Sequence, residues 1–411
     1  MKKVCPNLAV VAFAGFGLMI PVSSLGAEAG SPAERCLSEL RTLGESSGYA
    51  WAWTYPWFDH TVKSGDVRNA VQSPGGTWLP KALPDTILVT PAGRAEAMVE
   101  ETFGVVPKLY YLDMYYVAGT FRPSSFYAVN RASMTAVVRK AWSEHRAVPV
   151  FSWHMEHYCV TNGFKSDSYR FKCSKHKNLV RTIVQNERDG DFVPRAWFEN
   201  RLAEIAGFLN GLTDEKGGKI PVILRYAHEM DGSWFWWGKD DCSKEDFIAL
   251  ARLEADYLRS CCGNGQILFA YTPDRWWQGL GTEGKDGYLA WYPGDAYVDI
   301  IGYDDYAIGG GKTADERRKN FEIALGKMRL MSEYAVTHGK VVCLSESGNP
   351  DSGFYYEDIQ RLMTADGVKA AFFNSWIGPW TWPKTEQGLK DIKGFVAKVR
   401  TTVKKENAKN E

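Results

Sequence analysis

Apolar residues in this chain gather in short runs bounded by glycine, proline or charge, and longer stretches with helical spacing separate them. Runs of about 4–8 residues rich in β-branched, leucine and aromatic side chains read as buried strands. They predict strands at Leu109–Asp113, Ala147–Trp153, Ile220–Tyr226, Gln266–Tyr271, Val298–Tyr303, Lys340–Ser345 and Ala370–Trp376, with a weaker one at Tyr49–Trp53. Between them the apolar positions recur with the helical period and predict helices at Ala132–His145, Pro194–Leu212, Lys244–Arg259, Ala314–Thr337 and Tyr355–Thr364. Strands alternating with helices over about 330 residues point to an α/β fold, a (β/α)8 TIM barrel, rather than a doubly wound sheet. No glycine-rich phosphate loop follows the first strand, which weighs against the latter, and Gly309-Gly310-Gly311 reads as a flexible loop.

The polar and aromatic residues come just after the strands, at the face where such barrels carry their sites. No linker, internal repeat or long charge block interrupts the chain after its start, so a single catalytic domain is expected over residues 30–411. The start differs. Lys2 and Lys3 precede an apolar stretch from Leu8 to Val22, and small residues ending in Ala27-Glu28-Ala29 follow. This is the layout of a secretory signal over residues 1–29, cleaved after Ala29, and it predicts a secreted or periplasmic protein. The stretch is short for a membrane span and no second one follows, so no membrane span is expected.

Composition narrows the partners. The 49 basic and 49 acidic residues cancel, and removal of Lys2, Lys3 and Glu28 leaves 47 against 48. No strong field favours nucleic acid or an anionic membrane. The 16 Trp, 20 Tyr and 20 Phe stand out, and many cluster near glycine and proline at strand ends. Seven cysteines outlast the signal: Cys36, Cys159, Cys173, Cys242, Cys261, Cys262 and Cys343. An oxidising compartment favours pairing, first Cys159 with Cys173 and then Cys242 with Cys261 or Cys262, and the odd count leaves Cys343 as a free thiol. Their spacings match no zinc pattern, so no metal site is expected.

The densest chemistry follows the run Ile220–Leu224, where Arg225-Tyr226-Ala227-His228-Glu229-Met230-Asp231-Gly232-Ser233-Trp234-Phe235-Trp236-Trp237-Gly238 leaves a buried strand. Indole faces cover the apolar faces of pyranose rings, and a carboxylic acid beside them can protonate a glycosidic oxygen. A second carboxylate, Glu346, ends the β-branched run Val341-Val342-Cys343-Leu344-Ser345. Glu229 and Glu346 are 117 residues apart and follow strands four and seven, so a barrel brings both to one cleft. Two carboxylates about 5–5.5 Å apart suit double displacement with retention. Arg225, inward on the same strand, would keep Glu346 ionised, and His228 would hold hydrogen bonds beside Glu229. Taken singly, either acid could instead cap a helix or pair with an arginine.

The segment from Arg225 to Gly238, followed by Tyr292-Pro293-Gly294-Asp295-Ala296-Tyr297-Val298-Asp299-Ile300-Ile301-Gly302-Tyr303-Asp304-Asp305-Tyr306, resembles glycoside hydrolase family 26 from Gly48 to about Lys398. That family comprises retaining barrel enzymes of clan A, mostly endo-β-1,4-mannanases, with a minority acting on β-1,3-xylan or mixed-linkage β-glucan. The resemblance implies Glu229 as acid/base and Glu346 as nucleophile, with His228 steadying the nucleophile side. It places Trp234 near the cleavage point, Tyr306 on the nucleophile and Asp304 near the scissile sugar. It also makes His154 a contact of the sugar before that point and Trp376 the floor beneath it. Asp113, Asp299 and Trp236 could be structural or touch ligand, and Trp276-Trp277 could extend the cleft or cover a loop.

Two stretches depart from the family. After His154 the chain runs Met155-Glu156-His157-Tyr158-Cys159 into a loop to Cys173, and after Trp376 it runs Ile377-Gly378-Pro379-Trp380-Thr381-Trp382. Both would line the sugar-binding side, so a long loop there could close the cleft and favour short products. The expected function is hydrolysis of β-1,4-mannosidic bonds in mannan-type polysaccharides by a monomer without metal or organic cofactor. The alternatives are the same mechanism on β-1,3-xylan or mixed-linkage β-glucan, or a non-catalytic carbohydrate-binding barrel.

Overall fold

Side chains alternate across a strand, so a strand covered on both faces must be apolar throughout, and eight such strands close here into one parallel barrel. The structure is a computed structural model that describes residues 27–46, 48–54, 70–72, 78–80, 108–120, 124–159, 170, 178–188, 190, 193–275, 284–376 and 383–410. The barrel strands are β1 (Ala50–Thr54), β4 (Leu109–Asp113), β5 (Val148–Ser152), β6 (Val222–Arg225), β7 (Ile267–Tyr271), β8 (Ile300–Asp305), β9 (Val341–Ser347) and β10 (Ala370–Ser375). Their order round the barrel is β1-β10-β9-β8-β7-β6-β5-β4, each pair parallel. A short antiparallel pair, β2 (Ala70–Gln72) and β3 (Trp78–Pro80), lies outside it. All eight expected strands are present, with no end moved by more than two residues.

The helices are α1 (Pro32–Glu45), α2 (Ser124–His145), α3 (Leu179–Gln185), α4 (Pro194–Asn210), α5 (Lys244–Cys262), α6 (Gly284–Leu289), α7 (Ala314–His338), α8 (Tyr355–Met363) and α9 (Glu386–Asn410). The five expected helices are α2, α4, α5, α7 and α8; α2 begins eight residues before the expected Ala132. Caps fix several starts. The Ser31 hydroxyl accepts from Glu34 N ahead of Pro32, and Thr313 with Glu316 forms a complete capping box on α7.

Two apolar clusters follow from the alternation. The smaller, with Tyr111, Val150, Ile223, Leu268, Ile300 and Cys343, fills the barrel and takes in Ala33, Cys36 and Leu40 of α1. Helix α1 therefore plugs the end away from the site. The larger cluster packs the outer strand faces against the helices.

The expected second disulfide is not formed. Cys242 forms none with Cys261 or Cys262; its Sγ donates instead to the Trp237 carbonyl oxygen at 3.1 Å, in the turn that opens α5. Cys343 is a buried free thiol, as expected. Cys173, and with it the expected Cys159 pairing, lies outside the described residues, as does most of the expected signal. No helix among the described residues is long and apolar enough to cross a membrane.

Candidate active site

Strand β6 ends in Arg225, and the chain must then turn sharply to present Glu229 over the barrel mouth. It does so through two non-glycine residues in the left-handed region, Ala227 (φ 38°) and Glu229 (φ 53°). Such backbone costs of the order of 1 kcal/mol or more per residue and persists only where neighbours over-determine it. The neighbours are plain. Glu229 N donates to the Thr272 carbonyl at 2.9 Å, Gly232 N to the Glu229 carbonyl at 3.0 Å, and Lys239 N to Met230 O at 2.8 Å. Gly232 is required by a close approach, because a Cβ there would fall 2.4 Å from the Trp234 ring. Trp234 thereby lies over the turn, and its Nε1–H donates to Glu229 Oε2 at 2.7 Å.

Glu346 arrives by a different device. Between β8 and β9 the register runs Tyr303 to Leu344 and then Asp304 to Glu346, so Ser345 is an extra residue in β9. Against β10 as well, Ser345 and Glu346 together oppose the single residue Asn374. This bulge re-aims the strand so that Ser345 and Glu346 both face inward: Ser345 Oγ donates to Asp304, and Glu346 meets Arg225 and Tyr306.

Arg225 organises the floor and is itself 1% exposed. Its Nη1 donates to Glu346 Oε1 and to Ser152 Oγ at 2.8 Å. Its Nη2 donates to both oxygens of Asp304, at 3.0 and 2.8 Å, and its Nε to Thr272 Oγ1 at 3.2 Å. Tyr306 OH donates to the other Glu346 oxygen at 2.8 Å. Glu229, Asp304 and Glu346 each offer an oxygen within 4.8 Å of the others, a grouping able to hold a cation, and the guanidinium takes up two of the three carboxylates.

The electrostatics separate the two glutamates. Burial, helped by the carboxylates of Asp304, Glu346 and Asp274, pushes Glu229 well above the usual carboxylate range despite the Trp234 hydrogen bond. Glu346 has a guanidinium on one oxygen and a phenol on the other. One acid is arranged to hold a proton, while the other lies against a fixed cation.

Beside them lie two histidines of opposite character. Burial works against a proton on His154, but the Asp113 carboxylate on its Nδ1 outweighs it and raises the pKa. Burial, then the charges of His154 and Arg225, holds His228 well below the ordinary value, and its Nδ1 has no hydrogen-bond partner. Their rings meet edge to face at 4.7 Å, and Trp376 lies 6.1 Å from the His154 ring.

All nine residues marked in the sequence thus converge: Glu229, Glu346, His154, Arg225, His228, Trp234, Asp304, Tyr306 and Trp376. Asp304 differs in its position. It is fully buried, with its carboxylate taken by Arg225 and Ser345, so it holds the arginine from below rather than facing the open cleft. Asp113 orients His154. Asp299 and Trp236 are structural: Asp299 accepts from Phe269 N at 2.9 Å, and Trp236 Nε1 donates to Met155 O at 2.9 Å. Met155, Glu156 and His157 are buried rather than lining a cleft, with Glu156 accepting from Tyr127 OH and Thr120 N. Trp276-Trp277, most of the Cys159–Cys173 loop and residues 377–382 lie outside the described residues. Sequence reasoning passed over Thr272 and gave no role to Asp274, Ser152, Ser345 or Asp231, although Ser345 and Asp231 stand inside the motifs it quoted.

Comparison with known proteins gives a consistent picture. The model of the family described as glycosyl hydrolase family 26 matches residues 90–399. A mannan endo-1,4-beta-mannosidase of Bifidobacterium adolescentis is 36% identical over 220 residues, covering 48% of this chain and 21% of that protein. One from Bacillus subtilis strain 168 is 25% identical over 233 residues, covering 54% of this chain and 55% of its own. The matched stretches thus span from about a fifth to just over half of these relatives. Among solved structures, a modular endo-beta-1,4-mannanase from Cellulomonas fimi superposes with TM-score 0.67 at 22% identity, over 91% of this chain and 75% of that one. GH26C from Muricauda sp. MAR_2010_75 does so with TM-score 0.67 at 23% identity, over 89% of both. At such identities the likeness is one of fold.

Proposed function

The chain belongs to glycosyl hydrolase family 26, and from that premise we propose that it is an endo-acting hydrolase of β-1,4-mannosidic bonds working with retention. The observation that carries this is the pair Glu229 and Glu346, oxygens within 4.8 Å across one cleft and in opposite electrostatic settings. That spacing suits attack and protonation from two sides of one bond, since retaining pairs lie about 5–5.5 Å apart. Glu229 gives its proton to the glycosidic oxygen while Glu346 attacks the anomeric carbon, which yields a covalent glycosyl–enzyme and a freed chain end. Glu229, now a base, takes a proton from water, and the hydroxide so formed releases the sugar from Glu346. Trp234 on Oε2 leaves Oε1 of Glu229 to carry the proton. Arg225 and Tyr306 fix the nucleophile's two oxygens, so its attack needs little reorganisation. Trp376 and His154 offer an aromatic face and an imidazole to the sugar ahead of the cleavage point. The signal-like N-terminus fits an enzyme exported to meet polymeric substrate.

The test is reducing-end release on linear mannan, galactomannan, glucomannan, β-1,3-xylan and mixed-linkage β-glucan, with Glu346→Ala alongside. Activity on the mannans that falls by at least about 10³-fold in the variant is the expected result. Activity confined to another polymer would move the substrate and keep the mechanism. Silence across the panel would end the proposal.

A further inference from the structure

The left-handed turn that carries Glu229 is tied to its neighbour strand at two points. The first is the backbone bond from Glu229 N to Thr272 O. The second is a side chain: Asp231 Oδ1 accepts from Asp274 N at 2.7 Å. Asp231 is 1% exposed, and its Oδ2 has no hydrogen-bond partner. A buried carboxylate with a vacant oxygen is costly, so its position reflects what Oδ1 does. Asp274 in turn bridges to Asp304 as the β7 and β8 exits run side by side, and Asp304 N donates to Pro273 O at 3.0 Å. The turn, the β7 exit and the Arg225 platform are thus one connected unit.

We propose that Asp231 is a positioning residue for proton transfer: its carboxylate clamps the turn to Asp274 and so holds Glu229 in the left-handed conformation that aims it into the cleft. This rests on the reading of Glu229 as acid/base. The surroundings fit a clamp better than a ligand site. Lys327 reaches in from α7 and donates to the Arg275 carbonyl, and Asp305 faces Arg275 at 3.7 Å, so cations of the chain itself attend the acidic side chains. Asp304 and Glu346, beyond Asp274, are held by Arg225. Burial, then the Asp231 carboxylate, pushes Asp274 up to about 7, and burial pushes Asp231 up to about 7. The bond from Asp274 N favours the ionised form of Asp231, and burial opposes it.

The experiment compares wild type, Asp231→Ala and Asp231→Asn on two β-mannobiosides, one with a 2,4-dinitrophenyl leaving group and one with a plain phenyl group. Azide is added so that the second step does not depend on Glu229. The dinitrophenolate leaves without a proton and the phenolate needs one. Asp231→Ala is expected to lose about 10-fold or more in kcat on the phenyl substrate and less than about 3-fold on the other. Asp231→Asn, which keeps an oxygen at the same place, recovers the phenyl activity to within about 3-fold. Equal loss on both substrates by folded protein, or no loss in Asp231→Ala, would overturn the inference. A wild type silent on both would sink the acid/base reading instead, and the clamp is then judged by crystallography. In Asp231→Ala Glu229 should leave the left-handed region, or Asp231→Asn should keep it there if the alanine protein does not fold; an unchanged turn in the alanine protein, or a collapsed one in the asparagine protein, overturns the clamp.

Discussion

Arg225 illustrates how much one residue can be asked to do. It is the sole cation that the described contacts place on Asp304 and Glu346, both at most 5% exposed. Removing one partner of a buried ion pair leaves the other uncompensated, which costs about 3–5 kcal/mol. Arg225→Met, close in volume but uncharged, should lose that much by denaturant titration and also lose most of the proposed mannan turnover; unchanged stability would mean the carboxylates had neutralised instead. At this scale the sequence was informative wherever a residue type carries chemistry by itself. Glu229, Glu346, Arg225 and the tryptophans stand out because acids, guanidinium and indoles after apolar runs are rarely idle. Ser152, Thr272 and Ser345, which complete the Arg225 and Asp304 shells, are small hydroxyl residues found at countless strand ends. Nothing in their neighbourhood along the chain marks them, because their partners come from other strands.

Two local backbone devices place the Glu229 and Glu346 pair, and neither is visible in an apolar pattern. The β9 bulge adds Ser345 to a run that still reads as a strand, yet without it Glu346 would point at the helices. The β6 exit depends on Gly232, because Trp234 occupies the space that a side chain would need. Gly232→Ala should push the indole off Glu229 and lower kcat by about 10-fold or more, with a stability loss of only about 1–3 kcal/mol. Full activity in this variant would show that the Trp234 hydrogen bond does not matter. The barrel strands were legible because strands covered on both faces leave long apolar runs. Helix α1 was not, because its buried positions are Ala33, Cys36, Leu40 and Gly44, a stripe too small-sided to stand out. Gly44 lies so close to the Lys369 carbonyl that a Cβ would fall 2.6 Å from it, so the plug works by close fit rather than apolar bulk.

Across the whole molecule the strand–helix rhythm forecast the barrel, and the barrel forecast the meeting of acids 117 residues apart. The disulfide expectation at Cys242 failed because the compartment permits a bond but only geometry makes one. The fold also contains a charge problem away from the cleft. Glu254 on α5 is fully buried and neither carboxylate oxygen has a hydrogen-bond partner, so burial raises its pKa well above the usual range. The folded protein then holds a proton that the unfolded chain releases near pH 4.3. Its stability falls as pH rises from there toward the raised folded value. Glu254→Gln removes that slope and should gain roughly 1–3 kcal/mol over wild type at pH 8, with the gap closing near pH 4. Parallel melting curves across that range would refute the buried-acid picture. The guanidinium beneath the cleft has a consequence of another kind. A counter-ion tethered to the chain and shut away from solvent cannot be exchanged for dissolved salt. Mobile ions screen surface pairs over about 8 Å at physiological ionic strength, but they do not enter a dry floor. The carboxylates above it should therefore feel the same field in brackish, saline or nearly ion-free surroundings, while the chain's exposed ion pairs come and go.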